Sequence, residues 1–220
     1  MDSKVIKDEF LTFLNASDFP CVAAKNAADK GNINLMVADH LGCPKDDAEI
    51  LQFMYAFTEK FRSAGEGFHS AAVIFKAPAN LSETEFDQLI WQRLASLRRL
   101  DAEKYNYDSR VDPDPASADF SFSLMEEAFF IIGLHSQSSR QARRFEYPTL
   151  IFNPHAQFTA MKKDSRYDKM KAIVRKRDLA FSGSVNPMLT DFGDSSEAYQ
   201  YSGRSYESGV ECPFTFNTDK

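Results

Sequence analysis

Two apolar runs of strand length, Phe120–Leu124 and Phe129–Leu134, are separated by only Met125, Glu126, Glu127 and Ala128. A gap that short joins antiparallel neighbours as a hairpin and leaves no room for a crossover. Both runs are apolar at nearly every position, so neither face of the hairpin suits water and helices must cover it. Similar Ile-, Val- and Phe-rich runs recur at Ala71–Phe75 and Thr149–Phe152. The expected fold is α+β: an antiparallel sheet of about four or more strands covered by helices.

Apolar spacing supplies the helices. Val5, Ile6, Phe10, Phe13 and Leu14 fall at helical intervals and stop at Asn15-Ala16-Ser17-Asp18. Asp46–Ala64 carries Ile50, Phe53, Met54, Phe57 and Phe61 on one stripe, with Pro44 at its start and Gly65 beyond its end. Ser82 and Glu85 have the spacing of a capping box, and Phe86, Leu89, Ile90, Leu94 and Leu97 follow on one face. Asn153-Pro154 opens a helix bearing Phe158 and Met161, and Met170, Ile173 and Val174 mark another. Asp108–Asp119 holds two prolines and reads as a connection rather than a linker. The tail from Phe181 onward is rich in Gly, Ser and Asp, yet Phe192, Tyr199, Tyr201, Tyr206, Phe214 and Phe216 give it aromatic anchors, which predicts an ordered C-terminal wrap. Residues 1–220 read as a single domain.

Composition excludes more than it assigns. A formal charge of −6 opposes general binding to a phosphate backbone, so no nucleic-acid partner is expected. No secretory signal and no long apolar span occurs, which predicts a cytoplasmic protein without a membrane partner. Three cysteines at wide spacing, Cys21, Cys43 and Cys212, form neither a disulfide framework nor a zinc knuckle. Twenty phenylalanines, eight tyrosines and a tryptophan provide either an aromatic core or the walls of a pocket for a flat apolar cofactor.

The segment GLHSQSSRQARRFEYPTLIFNPH concentrates the candidate chemistry. His135 follows directly on a buried strand and His155 falls at the first turn of the helix after the next strand. If those strands are neighbours, both imidazoles approach one end of the sheet, where they are candidate metal ligands, haem iron included, or satisfied structural residues. Arg140, Arg143 and Arg144 stand at i, i+3 and i+4, either a clamp for paired carboxylates such as haem propionates or a solvated basic face. His40 and His69 read as surface or packing residues. Cys21 and Cys212 are alternative thiolate ligands. No GxGxxG, Walker loop, GxSxG or HExxH is present.

In order along the chain, AFFIIGLHSQSSRQARRF, PTLIFNPHAQF, NPMLTDFGDSSEAYQYSGR and ECPF resemble the YqcI/YcgG family, as does the early FPC. The family often reads GLHP where Ser136 follows His135 here, and often has a glycine in the hairpin turn occupied here by Met-Glu-Glu-Ala. Members of that family include haem-dependent N-hydroxylases acting on the guanidino group of arginine-like amino acids. The resemblance therefore implies haem b, with its iron, and oxygen or peroxide chemistry on a guanidino-bearing small molecule, supplied by an electron donor the sequence does not name. One of His135 and His155 is the implied iron ligand and the other lies near the distal side or fixes the pocket, with Arg140, Arg143 and Arg144 meeting the propionates. A guanidinium substrate would need carboxylates, for which Asp191, Asp194 and Glu197 stand ready. Competing expectations are a haem sensor or carrier without turnover, and a haem-free structural or partner-binding domain.

Overall fold

The computed structural model describes residues 2–65, 67–162, 166–183 and 193–206. Five strands form one sheet: β1 (Ile33–His40), β2 (Ser70–Ala77), β3 (Phe122–Leu124), β4 (Glu127–Leu134) and β5 (Thr149–Pro154). Their order is β1-β2-β5-β4-β3, and every pair is antiparallel except β1 with β2. That parallel pair needs a crossover, which the helix Asp47–Ser63 provides.

The helices are α1 (Ser3–Asn15), α2 (Val22–Asp29), α3 (Asp47–Ser63), α4 (Glu83–Asp101), α5 (His155–Lys162), α6 (Arg166–Ser182) and α7 (Ala198–Tyr201). The expected α+β fold, a sheet covered by helices, is the one observed. The capping box is complete at the start of α4: Glu85 N–H donates to Ser82 Oγ at 3.3 Å, and Ser82 N–H donates to Glu85 Oε2 at 2.9 Å. Three elements go beyond the sequence reading, the short helices α2 and α7 and the edge strand β1.

The hairpin is tighter than the four-residue gap implies. Leu124 pairs with Glu127, so Met125 and Glu126 alone form the turn, at φ 53° and 55°. Two consecutive left-handed residues are the geometry of a type I′ turn, which usually takes Asn-Gly because side chains crowd there. Here neighbouring groups hold it. Arg62 Nη2 donates to the carbonyls of Met125 at 2.7 Å and Glu126 at 3.1 Å, while the buried Asp101 carboxylate accepts from Met125 N–H.

Strand alternation assigns each face. Val73, Phe75, Phe129, Ile131, Leu150 and Phe152 pack against α3 and α4, whose Met54, Phe57, Phe86, Ile90, Trp91 and Leu94 complete one core. Ala72, Ile74, Leu134 and their neighbours point the other way, toward Ile6, Phe10 and Leu14 of α1 and the rings of Phe19, Phe145 and Tyr147. Helix α7 packs against β4, and its Tyr201 is fully buried between Trp91 and Phe120. The described part of the C-terminal wrap is thus seated on the sheet; Phe192, Phe214 and Phe216 lie outside the described residues. Among the described residues no helix is long and apolar enough to cross a membrane.

Candidate functional site

On the α1 side of the sheet the strands are not fully covered. A cavity of about 340 Å³ lies between the strands and α1, α2, α5 and α6. Its walls include Phe10 and Leu14 from α1, Phe19 and Cys21 from the loop before α2, and Phe130, Ile132 and Ile151 from the sheet. Polar groups gather where β5 runs into α5. There Ser70 Oγ donates to Asn153 Oδ1 at 2.7 Å, and His69 N–H donates to Gln157 Oε1 at 2.9 Å.

His155 opens α5 at this end and lines the cavity. Its Nε2 is 2.9 Å from Glu197 Oε2. Glu197 is itself buried, and its Oε1 accepts from Tyr201 OH at 2.6 Å and from Ser121 Oγ at 2.8 Å. Desolvation, reinforced by the adjacent carboxylate, pushes the Tyr201 phenol well above its ordinary range, so Tyr201 stays a donor. The carboxylate is therefore fixed from one side and fixes the imidazole on the other, the arrangement by which a histidine is oriented either for proton transfer or for metal binding.

His135 is elsewhere. Because β4 and β5 run antiparallel, Leu134 pairs with Thr149 while Phe129 pairs with Pro154. The histidine following β4 and the histidine following β5 therefore lie at opposite ends of the pair, separated by about 17 Å of strand. They also lie on opposite faces. His135 stacks on Phe86 of α4 at 4.3 Å between ring centres and is not among the cavity walls. It is 1% exposed, neither ring nitrogen makes a hydrogen bond of ordinary geometry, and burial pulls its pKa down. The sequence places the two imidazoles near one end of the sheet; the structure does not bring them together, because the strands are antiparallel.

The three arginines also part. They do not share a helix face, since only Gln141–Arg143 form a single 3-10 turn, with Arg140 and Arg144 flanking it. Arg140 pairs with Asp178 of α6. Arg143 points inward and donates from Nη1 to the carbonyl of Tyr201 at 2.9 Å. Arg144 turns back to the carbonyl of Ser138 at 2.6 Å. Arg140 and Arg143 line the cavity and Arg144 does not. Cys21 lines it too, with burial raising its thiol pKa. Asp194 is exposed, and Asp191 and Cys212 lie outside the described residues.

Sequence reasoning overlooked Lys171, Arg175 and Asp178, which also line the cavity. The signal was available: these three stand at i, i+4 and i+7 beside Met170 and Val174, one helix face mixing charge with apolar groups. Among the described residues no three His, Cys, Asp or Glu side chains gather as a metal cluster. A haem iron needs only one or two protein ligands, so the fit to haem turns on the donors and the walls. The cavity offers one imidazole, one thiol, several aromatic and aliphatic walls, and cations for acid groups, a set that suits a flat apolar group carrying carboxylates.

These features define a class: a mixed α+β protein with a cavity on one face of its sheet, walled by apolar side chains with histidine, carboxylate and arginine among them. Residues 10–215 match the YqcI/YcgG family, and the chain belongs to it. No curated protein and no solved structure matches the chain.

Proposed function

We propose that the protein is a haem-dependent oxygenase that N-hydroxylates a guanidino or related nitrogen of a small arginine-like molecule held in this cavity. One observation carries the reading: His155, Glu197, Arg140 and Arg143, drawn from separate stretches of the chain, all line the same cavity. Haem, when bound, supplies the activation of oxygen. His155 is the imidazole that would hold the iron, with Glu197 fixing its ring as carboxylates fix ligating histidines. Arg140 and Arg143 are the cations available to acid groups, and Phe10, Phe19, Phe130 and Ile132 keep water from the reacting centre.

Protein produced with added haem precursor tests this directly. A pyridine haemochrome assay is expected to find stoichiometric haem, and His155→Ala is expected to lose the Soret band while His135→Ala keeps it. L-Arginine is expected to perturb the band and to be consumed when oxygen and a reductant are present. Wild-type protein without haem overturns the reading. Loss of the band in His135→Ala alone moves the iron to the other face of the sheet.

A further inference from the structure

The cations around the cavity are not alike. Arg140 has Asp178 and Lys171 has Asp168. Arg143 is buried, and among the described residues its hydrogen bonds go to two backbone carbonyls, Tyr201 at 2.9 Å and Gly133 at 3.4 Å. Among the described residues no carboxylate lies within ion-pair distance of it; Asp178, already engaged by Arg140, acts on it only at longer range. Burial and the neighbouring Arg140 depress its pKa to about 10. Arg175 of α6 also faces the cavity, and among the described residues its buried Nε finds no hydrogen-bond partner.

Burying charge without an opposite charge is costly, and a guanidinium seldom escapes by losing its proton. A buried Arg143 that meets no carboxylate among the described residues, and a half-buried Arg175 with an unsatisfied Nε on the same cavity, are better explained by what enters the cavity than by the packing around it. The two belong to adjoining elements, because the 3-10 turn carrying Arg143 packs on α6. Arg175 lies one helical turn from Asp178, the residue that ties α6 to Arg140.

We infer that Arg143 and Arg175 form a carboxylate-binding subsite where the 3-10 turn meets α6, and that the small molecule taken by the cavity carries a carboxylate docked there. The planar fork of arginine matches a carboxylate in a way a lysine ammonium does not. The subsite deepens the reading of the cavity as a small-molecule site and rests on that reading. The carboxylate has two chemical sources, the acid group of a substrate or a propionate of haem.

Titration calorimetry separates the sources and tests the subsite, with L-arginine, agmatine (the same guanidino chain without the carboxylate), hexanoate (a carboxylate without the guanidino group), haem and the iron porphyrin dimethyl ester as probes. If a substrate supplies the carboxylate, L-arginine binds about tenfold or more tighter than agmatine, and Arg175→Gln removes that advantage while leaving agmatine unchanged. If haem supplies it, Arg175→Gln weakens haem and leaves the dimethyl ester unchanged. Hexanoate bound in an Arg175-dependent way, with neither guanidino compound bound, keeps the subsite and removes the guanidino substrate. Arg175→Gln that leaves L-arginine, hexanoate and haem all unchanged overturns the inference. Arg175 is the residue to alter first, because Arg143 is wedged in the core and its loss risks the fold; Arg175→Lys is expected to recover only part of the lost affinity.

Discussion

The helices covering the two faces of the sheet differ in number and in what they carry. On one side α3 and α4, of 17 and 19 residues, lie across the strands and deliver Phe57, Phe86, Trp91 and Leu94 into a continuous core. On the other, four helices border the strands, α1, α2 and α5 of 13, 8 and 8 residues and α6 of 17. These four do not close over the strands as α3 and α4 do, and the space between them is the cavity. The closed side also settles its own charge: the buried Arg93 pairs with Asp47 and donates to the carbonyls of Leu41 and His40, both at 2.9 Å. The open side, among the described residues, gives Arg143 carbonyls and no carboxylate. Charge that is balanced from within belongs to the fold, and charge that is not points to a ligand.

The contrast breaks if the faces respond alike to truncation. Phe129→Ala, on the closed face, is expected to cost about 3–5 kcal/mol in urea unfolding. Ile132→Ala, on the same strand but facing the cavity, is expected to cost below about 2 kcal/mol, because the atoms removed already border open space. Equal losses would erase the distinction between faces.

Gly133→Ala sharpens it. A Cβ there would stand 2.7 Å from both Ile90 Cδ1 and Phe86 Cε1, so the closed face must be overpacked at a cost of about 1–3 kcal/mol. Thermal unfolding should register the loss, while ligand titration of the cavity should not change.

The smallest effect concerns pH. Burial lowers the pKa of His135 below its unfolded value, so the folded state favours the neutral ring. Above about pH 6.5 both states are neutral and the group contributes no slope. As pH falls below that value the unfolded chain takes up the proton first, and stability declines until the pH passes the folded pKa, with a slope of at most about 1.4 kcal/mol per pH unit. His69 is shifted in the same direction by the same cause, so the measurement is a difference. His135→Leu should lose less stability than wild type on acidification in denaturant titrations. Parallel curves would mean that His135 finds a proton partner on the closed face.

Much of the frame was legible in the sequence because it rests on local rules. Ser82 and Glu85 announce α4, and the apolar hairpin announces a covered sheet. β1 escaped notice because Asn34 and Asp39 interrupt its apolar alternation, and it is an edge strand, paired only with β2. α2 escaped because a short, alanine-rich segment with only Ala27 buried has little periodicity to show. In the site, the sequence nominated His155, Glu197 and Arg143, but not their company. Spacing along the chain suggested one face for three arginines and one end for two histidines. The arginines were divided by a single 3-10 turn, and the histidines by strand direction, which spacing does not encode.

Arg143 is gripped by residues that come late in the chain. Tyr201 supplies a carbonyl to its Nη1, and Gly203, at φ 82°, passes so close that a Cβ would stand 2.6 Å from the arginine's Cδ. All five strands lie before residue 155, whereas Glu197, Tyr201 and Gly203 follow more than forty positions after His155. During synthesis the sheet can pair while its imidazole still lacks a carboxylate and its central guanidinium lacks a backstop. Translation therefore yields the scaffold first and the chemistry last, and a chain stalled between the two would own a folded sheet with nothing yet able to act on it.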